Sequence, residues 1–157
     1  MNKRTDVMSA CKDRRLFAID IENAVGTGKL DERKVAYAMN KIAKLHSLTD
    51  NDLVIVGISH KRNAFPVGSQ LPGIRIVFHP GKNGADLAIK DVLAKERIPE
   101  RFTEIILVSG DGIFAEDVER LRAAGTRVNV TARKGNLSQK LAMKATRVLY
   151  PKIKRAA

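Results

Sequence analysis

Short runs rich in Val, Ile and Leu recur along the chain, at Leu16–Ile19, Leu53–Ile58, Ile74–Phe78, Ile105–Val108 and Arg127–Val130. The middle ones are nearly continuous rather than alternating, as in strands covered on both faces, and hence in a parallel sheet. Helical patterns lie between them. Val35, Ala38, Met39, Ile42 and Leu45 make one apolar stripe, behind Asp31 and Glu32 at an acid-favouring helix start. Ala85, Ala88, Ile89, Val92 and Leu93 make a second. Phe114, Val118 and Leu121, closed by Gly125, make a third, and Leu137, Leu141, Ala145 and Val148 a fourth. Residues 60–73, with Pro66, Gly68, Pro72 and Gly73, read as a loop holding at most one short helix. Strand and helix thus alternate. The pattern predicts an α/β three-layer sandwich with a five-stranded, mostly parallel, Rossmann-like sheet.

The 157 residues suit one domain, with a core expected over about 16–150 and loosely held termini. An apolar share of 44% is enough to bury that core. The lone Cys11 excludes an internal disulfide framework and a Cys-rich zinc site. No apolar run approaches the roughly 18–20 residues of a membrane span, and no apolar signal segment follows the charged N-terminus. A cytoplasmic protein without a membrane partner is expected.

Charge points to the partner. Lys and Arg number 29 against 17 Asp and Glu, a net charge of +12. After Glu119 no acid occurs, while basic residues recur from Arg120 to Arg155. Such a basic third favours nucleic acid over a merely solvated face.

In open α/β sheets, ligands bind at the carboxyl ends of the strands. The first run ends in Asp20-Ile21-Glu22-Asn23 and the fourth in Ser109-Gly110-Asp111-Gly112. Asp86 lies where the helix before the fourth strand should begin, at the same rim. Asp20, Asp86 and Asp111 therefore converge, provided the first and fourth strands are neighbours. Gathered carboxylates repel one another and resist ionising. Mg²⁺ or Mn²⁺ relieves this, prefers carboxylate oxygen, and suits phosphodiester hydrolysis on a basic surface. An Asp after a strand is also a common helix N-cap, and Asn23 serves equally as a turn residue or a ligand.

Phe17-Ala18-Ile19-Asp20-Ile21-Glu22-Asn23, Gly84-Ala85-Asp86-Leu87-Ala88 and Ile106-Leu107-Val108-Ser109-Gly110-Asp111, followed by Phe114 and by Leu121 through Gly125 to Val128, resemble the NYN branch of the PIN-like ribonucleases over about residues 16–150. The resemblance implies a PIN-like sandwich and metal-dependent cleavage of RNA, single-stranded or structured. Asp20, Asp86 and Asp111 would be metal ligands, and Asn23 would support the site or touch the scissile phosphate. The family pattern has a second Asp two residues after the position of Asp111, where this chain has Ile113. Asp117, four residues beyond Ile113 on the same helix face, is the candidate substitute through a bridging water.

The Arg133-Lys134-Gly135-Asn136 loop follows the fifth strand and should lie at the active rim. Lys140, Lys144 and Arg147 recur at helical spacing and predict one basic helix edge for an RNA backbone. Lys82, four before Asp86, could neutralise phosphate charge near the metal. With no Trp and two Tyr, phosphate contacts and shape should outweigh base stacking. Gly26-Thr27-Gly28-Lys29 lacks phosphate-loop spacing. His46, His60 and His79 have no zinc spacing and read as surface or core residues. The leading expectation is an endoribonuclease using Mg²⁺ or Mn²⁺. The alternatives are an RNA-binding module lapsed through Ile113 and a regulatory protein-interaction domain on the same fold. The sequence leaves DNA and homo-oligomerisation open.

Overall fold

The computed structural model describes residues 13–70 and 72–154, so Cys11 lies outside the described residues. Within them, β1 (Arg15–Asp20) leads into α1 (Ile21–Val25) and α2 (Glu32–His46). Then come β2 (Leu53–Ile58), α3 (Ala64–Gln70), β3 (Arg75–Phe78), α4 (Gly84–Lys95) and α5 (Ile98–Arg101). The chain continues through β4 (Glu104–Val108), α6 (Ala115–Ala123), β5 (Arg127–Thr131), α7 (Gln139–Lys144) and β6 (Arg147–Leu149).

The six strands form one sheet in the order β3-β2-β1-β4-β5-β6, every pair parallel. Alternate residues of β1 serve opposite cores, because successive strand side chains point to opposite faces. Phe17 and Ile19 pack with Val35, Ala38 and Ile42 of α2. Leu16 and Ala18 pack with Ile89, Val92 and Leu93 of α4 and with Val118 and Leu121 of α6. Both faces are covered, which is why these strands read as continuous apolar runs.

The expected fourth helix is corrected at its far end. Helix α7 closes at Lys144, and the extended Ala145 turns the chain into a short sixth strand. Thr146 fastens that turn: its N–H donates to Val128 O at 2.8 Å and its hydroxyl accepts from Val128 N at 3.0 Å. Beyond β6, Tyr37 Oη lies 3.4 Å from Lys152 O and 3.3 Å from Lys154 N, and Pro151 is buried. Through Lys154 the chain therefore runs beside α2.

Chain order reverses between β1 and β4, so a crevice opens outside the carboxyl ends of those two strands. Their pairing carries Ile19 opposite Val108, which brings Asp20 and the Ser109–Asp111 segment to one rim. Two glycines let the rim close tightly. A Cβ on Gly84 would fall 1.9 Å from His79 O, and one on Gly110 would fall 1.9 Å from Asn136 O.

Candidate active site at the carboxyl rim

Asp20 ends β1 and caps α1, its Oδ1 accepting the Asn23 N–H at 3.1 Å. Asp111 caps the turn at Gly112–Phe114, its Oδ1 accepting the Ile113 N–H at 3.0 Å. Both aspartates are thus N-caps, and each uses only Oδ1 for the cap. Asp86 sits in the first turn of α4, 5% exposed, and its Oδ1 is buried with no hydrogen-bond partner.

Asp86 lies within hydrogen-bonding reach of both Asp20 and Asp111. Burial, then a hydrogen bond with Asp20 and the charges of Asp20 and Asp111, push its carboxyl up to about 9. Burial likewise pushes Asp20 above the ordinary carboxylate range. Asp86 bridges its two neighbours, and among the described residues no three His, Cys, Asp or Glu side chains close into a ready-made metal cage. An orphaned carboxylate oxygen beside two further carboxylates is nonetheless the donor set that a hard divalent cation satisfies.

Asn23 ties the rim together. Its Oδ1 accepts from Gly110 N at 3.3 Å and from Asn136 Nδ2 at 3.1 Å. Its backbone carbonyl accepts from Arg133 Nη2 at 3.2 Å. Asn23, Asp111, Asn136 and Ser138 line a cleft of about 410 Å³. A larger hollow of about 580 Å³ runs along β3 and α4, past Phe78 and Leu87, and holds none of the three carboxylates. Asn136 comes from the loop expected at the rim, where its contact with Asn23 was not foreseen, and Ser138 lines the cleft without having been expected there. Their signal was the Gly135-Asn136 turn behind a strand end, which does not say which residue it will meet.

Asp117 is corrected. It is buried with Oδ2 on Lys90 Nζ and Oδ1 on Arg120 Nη2 at 3.3 Å. Both oxygens are taken by cations, so it does not join the other three. Ile113 packs partly buried against the core, and its carbonyl accepts from Lys90 Nζ at 2.9 Å.

The expected basic helix edge also divides. Lys140 is exposed on α7, but Lys144 pairs with Glu119 at 3.1 Å and Arg147 lies on β6. Lys134 is exposed beside Arg133, and Lys82 is exposed in the loop before α4. Arg133, Lys134 and Lys82 therefore flank the rim from two sides, while Lys144 and Arg147 belong to the α6–α7–β6 side of the fold.

The family described as NYN domain matches residues 16–152. Over 70 residues the chain is 36% identical to the low amplitude and bright protein LabA of Synechococcus elongatus. That match takes in 41% of this chain and 38% of the LabA sequence, so the chain spans well under half of that relative's length. A solved protein of unknown function from Vibrio parahaemolyticus superposes with a TM-score of 0.64 at 20% identity, covering 89% of this chain and 93% of the other. That likeness is one of fold.

Proposed function

The chain belongs to the NYN domain family, a branch of the PIN-like nuclease superfamily, and from that premise we propose that it is a metal-dependent endoribonuclease working at the carboxyl rim between β1 and β4. The observation that carries this reading is the buried Asp86 carboxyl, one oxygen unpartnered, set between Asp20 and Asp111. The carboxyl is 5% exposed and one of its oxygens meets no protein donor, which a role as cation ligand would explain.

Asp20, Asp86 and Asp111 would hold Mg²⁺ or Mn²⁺. Once bound, such an ion polarises a phosphoryl oxygen and makes water a better nucleophile. The chain's own residues do the rest. The caps fix the Asp20 and Asp111 carboxyls in place through Oδ1 and leave the second oxygen of each outside the cap. Asp86 is the group that releases a proton when the cation arrives. Asn23 and Asn136 hold the β1, β4 and β5 loops in register, so the cleft keeps its shape as substrate enters. Lys82, Lys134 and Lys140, with Arg133, supply positive charge for the RNA backbone.

The test is cleavage of fluorescent single-stranded RNA in Mn²⁺, with EDTA and Asp111→Asn as controls, alongside a melting curve titrated with Mn²⁺. Cleavage that EDTA and the substitution both abolish is expected. A cation at 100 times its dissociation constant should add about 2.7 kcal/mol to the wild type and nothing to Asp86→Asn. No cleavage over varied substrates and no thermal shift would remove the proposal.

A second reading, an RNA-binding module without turnover, is favoured by Ile113 and by the saturation of Asp117. Both deprive the rim of a fourth carboxylate. Ile113→Asp separates the readings: cleavage that appears only in the variant means the natural site is one ligand short.

A further inference from the structure

Resting on the nuclease reading above, we propose that His60 donates the proton to the oxygen that leaves when the phosphodiester is cut. The basis is a carboxylate–imidazole pair whose carboxylate, Glu22, lies near Asp20. Glu22, in the first turn of α1, has a side chain only 10% exposed. Its Oε1 accepts from Ser59 N at 2.9 Å and from Ser59 Oγ at 2.6 Å. Its Oε2 accepts from Asn63 Nδ2 at 2.7 Å and faces His60 Nδ1 at 3.0 Å. Asn63 is fully buried, so this frame is rigid.

Ser59 and Asn63 already give Glu22 three hydrogen bonds. A merely structural carboxylate would be satisfied by them, yet the His60 ring is added while its side chain stays 44% exposed. Nδ1 also lies 3.1 Å from Ser59 Oγ, but that hydroxyl donates to Glu22 Oε1, so Nδ1 carries the hydrogen that faces Glu22 Oε2. Nε2, on the other edge of the ring, bonds no protein atom among the described residues. This is how an oriented imidazole is built: one nitrogen fixed by an acid, the other presented for proton transfer. Gly28 adds a wall, since a Cβ there would lie 3.2 Å from His60 Cε1.

The pair lies at the β2 end of the rim that carries Asp20. Ser59 and His60 directly follow β2, which is paired with β1 so that Gly57 sits opposite Asp20. Gly84, which opens the helix carrying Asp86, approaches so closely that its Cβ would be 3.1 Å from Ser59 Cβ. His60 thus follows a residue packed on the start of that helix. In the step proposed, the oxygen of water forms a new bond to phosphorus and the bond from phosphorus to one ribose oxygen breaks. The departing oxygen keeps the electron pair and takes the proton from Nε2 of the imidazolium. The proton of the water goes to solvent, and His60 is reprotonated from solvent.

The experiment compares wild type, His60→Gln and Asp86→Asn in Mn²⁺ on three RNA oligonucleotides. One is unmodified, and the others carry sulfur in place of one or the other bridging oxygen of the cut phosphate. A thiolate departs without a proton, and the two sulfur substrates cover either departing atom. His60→Gln should lose about 10²–10⁴-fold on unmodified RNA and regain a rate near wild type on one sulfur substrate. Its melting temperature, and its RNA affinity in EDTA, should match wild type. Should His60→Gln be poorly folded, His60→Ala with free imidazole replaces it, and its rate should climb with imidazole concentration. Equal losses on all three substrates, no loss at all, or an alanine variant indifferent to imidazole would overturn the role of His60 and leave the nuclease reading intact. A wild type inert on every substrate overturns both.

Discussion

The side-chain carbonyl of Asn23 accepts the backbone N–H of Gly110 at 3.3 Å, so a single residue of α1 fastens the end of β1 to the end of β4. The same oxygen takes Asn136 Nδ2 at 3.1 Å, extending the link to the loop after β5. Asn23→Ala strands two donors at the rim. A loss of roughly 1–3 kcal/mol is expected, read by urea denaturation, with a larger proportional loss in RNA cleavage because the cleft no longer holds its register. Full activity in a destabilised variant would show that this link is structural only.

Lys90 and Asp117 form a second long-range pair, shared with Arg120. Lys90→Met leaves a buried carboxylate with one partly exposed cation and should cost about 3 kcal/mol. Asp117→Leu in the same chain should recover part of that loss, since it removes the stranded charge. A double-mutant cycle by chemical denaturation measures the coupling. If the two substitutions simply add, the pair is not an energetic unit.

Stability at low pH should follow Asp52. Arg15 Nε reaches Asp52 Oδ1 at 3.0 Å and Nη2 reaches Oδ2 at 2.7 Å. Burial would raise the Asp52 carboxyl, but Arg15 and Thr49 outweigh it and hold it below its ordinary value. The folded state therefore binds this proton less readily than the unfolded chain. The contribution of the pair is complete above the unfolded value near 3.9 and fades as pH falls through the lower folded value. Arg15→Met should flatten that part of the stability profile and cost about 1–3 kcal/mol at neutral pH. An unchanged acid limb in the variant would assign the slope to other carboxylates.

RNA binding should weaken with salt. If about four phosphates of a single strand are contacted, log K falls with a slope of about −3 against log salt. Lys134→Gln and Lys140→Gln should each reduce the magnitude by about 0.7. Lys144→Gln should change it less, because that ammonium already pairs with Glu119. Fluorescence anisotropy with the Asp86→Asn protein measures this without turnover, and slopes equal in all variants would place the RNA elsewhere.

The fold was legible because its signals are local. Apolar runs, helical stripes and turn residues act within a few positions of one another, and they mark β1 to β5, α2, α4 and α6. The stretch after Leu141 misled because Val148 continues a helical spacing, whereas Thr146 bonds Val128 across the sheet and makes a strand. Lys144 and Arg147 were assigned to one face for the same reason.

What the sequence by itself determined is that Asp20, Asp86 and Asp111 stand at strand ends or helix starts, since alternation of strand and helix sends each to the same rim. Only the tertiary structure decided that β1 and β4 are neighbours, that Asp86 lies against both other carboxyls, that Lys90 claims Asp117, and that Glu22 holds His60. Those partners lie tens of residues apart along the chain. Hydrophobic periodicity specifies which face a residue takes, but strand order and packing choose which distant charge it meets, and that choice gives Asp117 to Lys90 and sets Asp86 beside two other carboxyls.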